Sequence, residues 1–258
     1  MTPAQPHPRT TRRPELLAAL RQGRAWDLAV IGGGATGLGV ALDAALRGLS
    51  VVLLEARDFA AGTSSRATKL VHGGVRYLAQ GNVPLVAEAL HERTRLLHNA
   101  PHLARALPFV MPAYAWWEVP FYGVGLKAYD LLAGRHGLGR TEWLSRHEAL
   151  ACLPGVRPDG LIGGVKYWDG QFDDARMALA LARTAAVHGA LLLNHCEVKG
   201  LIHEAGQVAG LTCADVETAE TFTVRARCVV NATGVWVDAM RQVDGDALGR
   251  PVRPMVAP

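Results

Sequence analysis

Residues 27–55 read DLAVIGGGATGLGVALDAALRGLSVVLLE. The apolar run Leu28–Ile31 suits a short buried strand. It feeds Gly32, Gly34 and Gly37, which satisfy G-x-G-x-x-G, and Ala41–Leu46 continues as a helix. Gly48 lets the chain turn back into a second apolar strand, Val51–Leu54, closed by Glu55. Each glycine has a mechanical reason. Gly32 permits the tight turn, Gly34 lets the backbone approach a pyrophosphate, and Gly37 lets the helix pack closely on the sheet. The helix N-terminus then offers free N–H groups and a positive dipole end to phosphates. Glu55 falls about twenty residues along, where a carboxylate accepts hydrogen bonds from ribose hydroxyls. The stretch is expected to hold a dinucleotide. Alone it does not separate NAD from FAD, but an acid at this place repels the 2′-phosphate of NADP.

At 258 residues, half of them apolar, the chain is long enough to bury a sizeable core and is globular in composition. The net charge of +4 is unevenly placed. Residues 1–26 hold Arg9, Arg12, Arg13, Arg21 and Arg24 against Glu15 alone, so the remainder is balanced. Such an arm touches anionic lipid or nucleic acid, or is a solvated leader. The solvated leader is the expectation, with peripheral membrane contact as its alternative and no nucleic-acid partner. No long apolar stretch follows the arginines, so the arm does not read as a secretory signal. Pro14 with Glu15 suits the first turn of a small amphipathic helix. The four cysteines show no C-x-x-C pairing, and Cys196, Cys213 and Cys228, in strand-like segments, read as small core residues. No metal site is suggested, and a reducing cytoplasm is the expected location.

Residues 56–82 mix Gly, Ser and Thr with Lys69, His72, Arg76 and Tyr77, which suits a loop folded around a polar ligand. Pro84–His98 shows a helical period with its charges on the far face. Prolines interrupt residues 101–168 repeatedly, and the aromatics concentrate there. Phe121–Leu132 suits a helix, and the aromatic cluster is expected to be core packing. Asp173–His188 reads as an amphipathic helix and Leu191–Leu193 as a buried strand. Glu197–His203 and Gln207–Cys213 form a hairpin pattern, Thr221–Val224 a third antiparallel strand, and Arg227–Asn231 a separate buried strand.

That order, with these residues, resembles the FAD-dependent glycerol-3-phosphate dehydrogenases, relatives of the glycine oxidase and amino-acid oxidase group. The match is carried by residues 27–65, then ATKLVHGGVRYL (67–78), LVAEALHERTRLLHNAPHL (85–103), DDARMALALA (173–182) and VVNATGVWVD (229–238). The K-L-x-H-G-G-x-R-Y-L string is far more specific than the glycine motif. The resemblance implies an α/β, glutathione-reductase-like Rossmann domain with a β-meander, plus the beginning of a substrate or cap domain. The implied division is a basic arm over 1–26, a discontinuous FAD-binding domain over 27–100 and 169–258, and a partial cap over 101–168.

By the same resemblance, Gly32, Gly33, Gly34, Thr36 and Gly37 hold the FAD pyrophosphate and Glu55 the adenosine ribose. Thr63, Ser64 and Ser65 line the phosphate and ribityl region, and Lys69, Leu70, His72, Gly73 and Gly74 lie along the flavin. Val198 meets the adenine, and Ala232, Thr233 and Gly234 close over the cofactor. Arg76 and Tyr77, with His72, face the substrate. The implied activity is oxidation of glycerol 3-phosphate to dihydroxyacetone phosphate, with electrons passed to a quinone at the cytoplasmic face of a membrane. A homodimer is among the assemblies it allows. Members of the family continue well beyond RPVRPMVAP (250–258), so the expectation is the N-terminal portion of such an enzyme. The alternatives are a non-catalytic FAD-binding fragment, or another amine or hydroxy-acid flavin oxidase of the same fold.

Overall fold

A computed structural model describes residues 10–74, 77, 81–134 and 137–244. The chain forms two compact units, one of residues up to Ala67 with Asp174 onward, the other Thr68–Asp173. In chain order the first unit opens with α1 (Arg13–Arg21), β1 (Ala25–Ile31), α2 (Ala35–Leu46) and β2 (Val51–Leu54). The second unit holds β3 (Leu70–Val71), α3 (Val83–Asn99), β4 (Ala104–Ala113) and α4 (Glu118–Ala133), then β5 (Glu142–Ser145), α5 (Arg146–Cys152) and β6 (Gly163–Phe172). The first unit is completed by α6 (Asp174–Val187), β7 (Leu191–Leu193), β8 (Cys196–Glu204), β9 (Gln207–Asp215), β10 (Thr221–Asn231) and α7 (Val237–Val243).

The first unit is a six-stranded mixed sheet in the order β7-β2-β1-β10-β9-β8, the Rossmann-like α/β arrangement expected. β1 pairs in parallel with both β2 and β10, and β2 with β7. Strands so placed are covered on both faces, which is why they read as unbroken apolar runs. Leu28, Val30, Val51 and Leu53 point to one face, where Ala41, Ala44 and Ala45 of α2 meet Ala178, Ala182 and Ala185 of α6. The alanines let two helices share that face closely. Ala29, Ile31, Val52 and Leu54 point to the other face and pack with Leu16, Leu17 and Leu20 of α1.

Two expectations change here. Residues 221–231 are one strand rather than two. Its first half pairs antiparallel with β9, and from Arg225 onward it pairs in parallel with β1. Phe222, Val224 and Ala226 alternate inward without a break, so nothing in the chain stops the strand. From Arg13 onward the basic arm is also not a free leader, since α1 packs on the sheet through Leu16, Leu17 and Leu20. Arg13 bonds the carbonyls of Asn194 and His195 and the Asp215 carboxylate, while Arg21 grips Glu220. Arg24 lies over the Trp26 ring at 3.7 Å from its centroid. Arg9 lies outside the described residues.

The second unit is built on β6, with β4 along one edge and β3 and β5 along the other. Pro108 and Pro112 sit within β4 rather than interrupting it. Among the described residues β4 pairs on one side only, and residues four apart present their nitrogens to the same, unpaired edge. Residues 68–100, expected with the first unit, belong here because β3 pairs with β6 and α3 packs on α4 and β4.

The helix expected at Phe121–Leu132 is α4, and of the aromatics expected in the core Tyr129 is buried there while Phe121 and its neighbours Trp116 and Trp117 are exposed. Trp116 is 79% exposed and Phe121 64%, while Leu126, Tyr129 and Ala133 on the opposite face are buried. Arg93, expected on the polar face of α3, is buried. Its Nη1 donates to Asp169 Oδ1 at 3.0 Å, and the Tyr129 hydroxyl donates to Asp169 Oδ2 at 3.0 Å while accepting from the Gly73 N–H at 2.9 Å. Burial first, and then the Asp169 charge, pushes the Tyr129 phenol well above its ordinary value, so it remains a neutral donor. Removing one member of a dry ion pair leaves the other charge buried and uncompensated. Asp169→Ala is therefore expected to cost about 3–5 kcal/mol in urea unfolding of the second unit. A loss below about 1 kcal/mol would show that water reaches the pair.

Candidate functional site

β1 delivers the chain to Gly32, whose φ of +111° is closed to ordinary residues. A Cβ there would lie 2.5 Å from the Ala232 carbonyl oxygen at the end of β10. The Gly32 N–H donates to Leu54 O at 2.9 Å, tying the turn to β2. One turn into α2, a Cβ on Gly37 would collide with the Gly32 carbonyl oxygen and touch the Ala232 methyl. Gly37 thus lets the helix sit directly on the strand ends.

α2 begins with N–H groups that no helical carbonyl can reach. The Ala35 N–H is taken by Ser64 Oγ at 2.9 Å, which draws the loop Gly62–Ser65 onto the helix N-terminus. Glu55 Oε2 accepts the Gly33 N–H at 2.6 Å, and Oε1 accepts the Arg57 N–H at 2.8 Å. The acid after β2 therefore braces the glycine turn.

These groups line one cleft of about 630 Å³ in the first unit. Gly32, Gly34, Thr36, Glu55, Thr63, Ser64, Val198, Ala232, Thr233 and Gly234 all face it. Gly33 and Gly37 stand behind it, in the contacts just described. Ser65 turns toward Gly62 O, 3.5 Å away, and is not on the wall.

The other expected site residues belong to the second unit. The Lys69 backbone is left-handed, at φ +60°, and its carbonyl accepts the Phe172 N–H. Its side chain borders a separate cleft of about 400 Å³ with Arg105 and Asp173. Leu70 is paired with Gln171 in the sheet. His72 Nδ1 accepts the Gly74 N–H at 3.1 Å, which assigns the neutral ring's proton to Nε2. Gly73 packs against Tyr129 and Leu90, where a Cβ would collide with both. The Tyr77 N–H donates to Gly74 O at 2.8 Å. Arg76 lies outside the described residues.

Several cleft residues were not anticipated. Trp236 lies over Gly62, and the Arg57 guanidinium stands 4.7 Å from its ring centroid. Met240 and Val243 of α7, with Val216, supply apolar wall. Asn231 Oδ1 accepts from both the N–H and the hydroxyl of Thr233, fixing the turn after β10. The signal for Trp236 and Asn231 is the string VVNATGVWVD itself, which places both beside the expected Ala232–Gly234.

The tight contact at Gly37 makes a direct prediction. Gly37→Ala forces the turn and helix apart, at a cost of about 1–3 kcal/mol by thermal or urea unfolding. An unchanged midpoint would mean that α2 does not rest on Gly32.

Comparison with known proteins bears on this arrangement. A model of the FAD dependent oxidoreductase family matches residues 27–257. Mitochondrial glycerol-3-phosphate dehydrogenase of Rattus norvegicus is 50% identical over 241 residues, covering 88% of this chain and 33% of that protein. The mitochondrial enzyme of Saccharomyces cerevisiae is 44% identical, over 98% of this chain and 40% of its own. The X-ray structure of glycerol-3-phosphate dehydrogenase from Bacillus halodurans complexed with FAD superposes with a TM-score of 0.69 at 35% identity, covering 90% of this chain and 38% of that one. The chain thus spans about a third of the length of the curated mammalian relatives it matches. With a glycine turn, a helix N-terminus and a carboxylate on one cleft, the chain belongs to the FAD dependent oxidoreductase family.

Proposed function

We propose that the chain holds FAD with its ADP portion in the first unit's cleft, and serves the oxidation of glycerol 3-phosphate to dihydroxyacetone phosphate, with electrons passed to a quinone. The observation that carries the cofactor reading is the convergence of the Gly32 turn, the α2 N-terminus and Glu55 on one cleft. The residues fit the group. Backbone N–H groups and the hydroxyls of Thr36 and Thr63 suit a pyrophosphate, Glu55 suits ribose hydroxyls, and Val198 with Val216 suits an apolar adenine face. When bound, the flavin supplies the hydride acceptor for oxidation at C2 of the substrate.

For the substrate, support comes from the Lys69–Leu78 string and from the similarity to glycerol-3-phosphate dehydrogenases. Arginine at position 76 suits a phosphate, since its planar fork binds two oxygens. The proton on His72 Nε2 makes that edge of the ring a hydrogen-bond donor. An apolar electron acceptor at a membrane surface is favoured by α4. Trp117, Phe121, Val124 and Leu131 fall on one exposed face of that helix, next to Trp116. Among the described residues no helix is long and apolar enough to cross a membrane, so the reading is of a helix lying on the surface.

Titration of the purified chain with FAD, followed by flavin fluorescence, tests the cofactor. Glu55→Ala should weaken binding by about 1.5–3 kcal/mol, roughly ten- to a hundredfold, and equal affinity would remove Glu55 from the ribose site. Bleaching of the bound flavin by glycerol 3-phosphate would show that this chain carries the oxidation itself, and a flavin that binds but does not bleach would mark a non-catalytic FAD-binding piece. Bleaching only by an amine or a hydroxy acid would favour the other flavin oxidases of this fold. In a second assay, the chain should sediment with phosphatidylcholine–phosphatidylglycerol vesicles and lose this property in the double variant Trp117→Ser, Phe121→Ser. Retention of the unsubstituted chain in the supernatant would exclude the surface-bound helix.

A further inference from the structure

Arg13, in the N-terminal arm, reaches across the first unit to two loops behind the cleft. Its Nη1 donates to Asn194 O at 2.7 Å, and its Nη2 to His195 O at 3.1 Å and to the Asp215 carboxylate. Its Nε faces Glu217 Oε2 at 3.1 Å. Asp215 is 1% exposed, and it also accepts from the Thr218 hydroxyl and the Glu217 N–H. One guanidinium therefore clamps the β7–β8 turn to the β9–β10 turn.

Both turns carry cleft wall. The His195 carbonyl that Arg13 holds also accepts the Val216 N–H at 2.8 Å, and Val216 lines the cleft. The His195 N–H donates to Arg57 O at 2.8 Å, and the next amide, Cys196, donates to Glu55 O at 2.8 Å. Glu55, Arg57 and Val216 are thus one backbone hydrogen bond away from a loop whose carbonyls Arg13 fixes. His195 sits at φ +48°, a left-handed conformation that a histidine keeps only when its surroundings hold it.

We propose that Arg13 is a positioning residue for the adenosine end of the cofactor, setting the wall made by Glu55, Arg57 and Val216. The proposal rests on the cofactor reading given above. It assigns the basic arm a task inside the fold: its arginine takes the place that a loop contact would otherwise have to fill, and no other cation among those described bonds Asn194 and His195.

The test uses the 258-residue chain with two probes, FAD and ADP, because ADP reports the adenosine and pyrophosphate contacts alone. Dissociation constants are measured at a temperature well below every variant's unfolding midpoint. Arg13→Gln should raise the constant for ADP at least tenfold, and that for FAD alongside it, at unchanged stoichiometry. Arg21→Gln removes a second arginine ion pair between α1 and the β9–β10 turn, to Glu220, while leaving the Arg13 bonds to Asn194, His195 and Asp215 in place, and should leave both constants within twofold. If Arg13→Gln does not fold, Arg13→Lys keeps the charge but not the fork, and amide exchange at Val216 should be faster in it. Affinity within twofold of the unsubstituted chain, equal weakening by Arg21→Gln, or unchanged exchange at Val216 would each overturn the positioning role. Failure of the unsubstituted chain to bind either probe overturns the cofactor reading itself, and the role of Arg13 with it.

Discussion

The first unit depends on a backbone contact between two glycines. Gly32 follows β1, bonds β2 through Leu54 O, and carries its carbonyl under Gly37. The end of β10 reaches the same point, since Ala232 O blocks any side chain on Gly32. Three strand ends and one helix are therefore locked around a site with no room for a Cβ. The direction of α2 follows from this contact, and with it the aim of its free N–H groups at the carboxyl ends of the parallel strands. Glu55 gains its place in the same way, because the β1–β2 pairing puts it beside the Gly33 amide.

What could be read from the chain were features encoded within some thirty residues. The βαβ unit, the three glycines, Glu55 and the hairpin at Ala205–Gly206 all declare themselves through spacing and local geometry. What could not be read were partners far along the chain. Arg13 counts as one more solvated charge until Asp215, 202 residues later, is brought beside it. Arg93 follows the apolar spacing of Val86 and Leu90 on α3, yet a charged residue in that row reads as surface unless Asp169 is known to face it. The joined strand at 221–231 was split because its ends pair with different neighbours, and pairing is a property of the sheet rather than of the strand.

The outward turn of Phe121 and Trp117 on α4 is hidden for another reason. Apolar residues fall on both faces of that helix, so periodicity alone cannot tell which face is inward. The buried face is chosen by Tyr129, whose hydroxyl finds the Asp169 carboxylate and the Gly73 amide. A polar anchor, rather than the larger apolar area, decides the orientation, because leaving those groups unpaired in the interior costs more than exposing Phe121 to water. The same choice holds Gly73 in place and turns Phe121 and Trp117 outward.

In the cleft, the groups suited to a nucleotide are already engaged with one another. Ser64 occupies the Ala35 amide, and Glu55 occupies those of Gly33 and Arg57. A phosphate arriving at the α2 N-terminus would exchange a neutral hydroxyl for a charged acceptor at a positive helix end, a trade that strengthens the hydrogen bond. A ribose at Glu55 needs no such exchange, since a carboxylate has lone pairs beyond the two in use. The adenosine end is thus met by a carboxylate already held in place by the backbone, while the phosphate end is reached by displacing one side chain. Pre-formed contacts of this kind lower the ordering cost of binding, which is why the bracing of the wall from behind bears on affinity as directly as the groups that face the ligand.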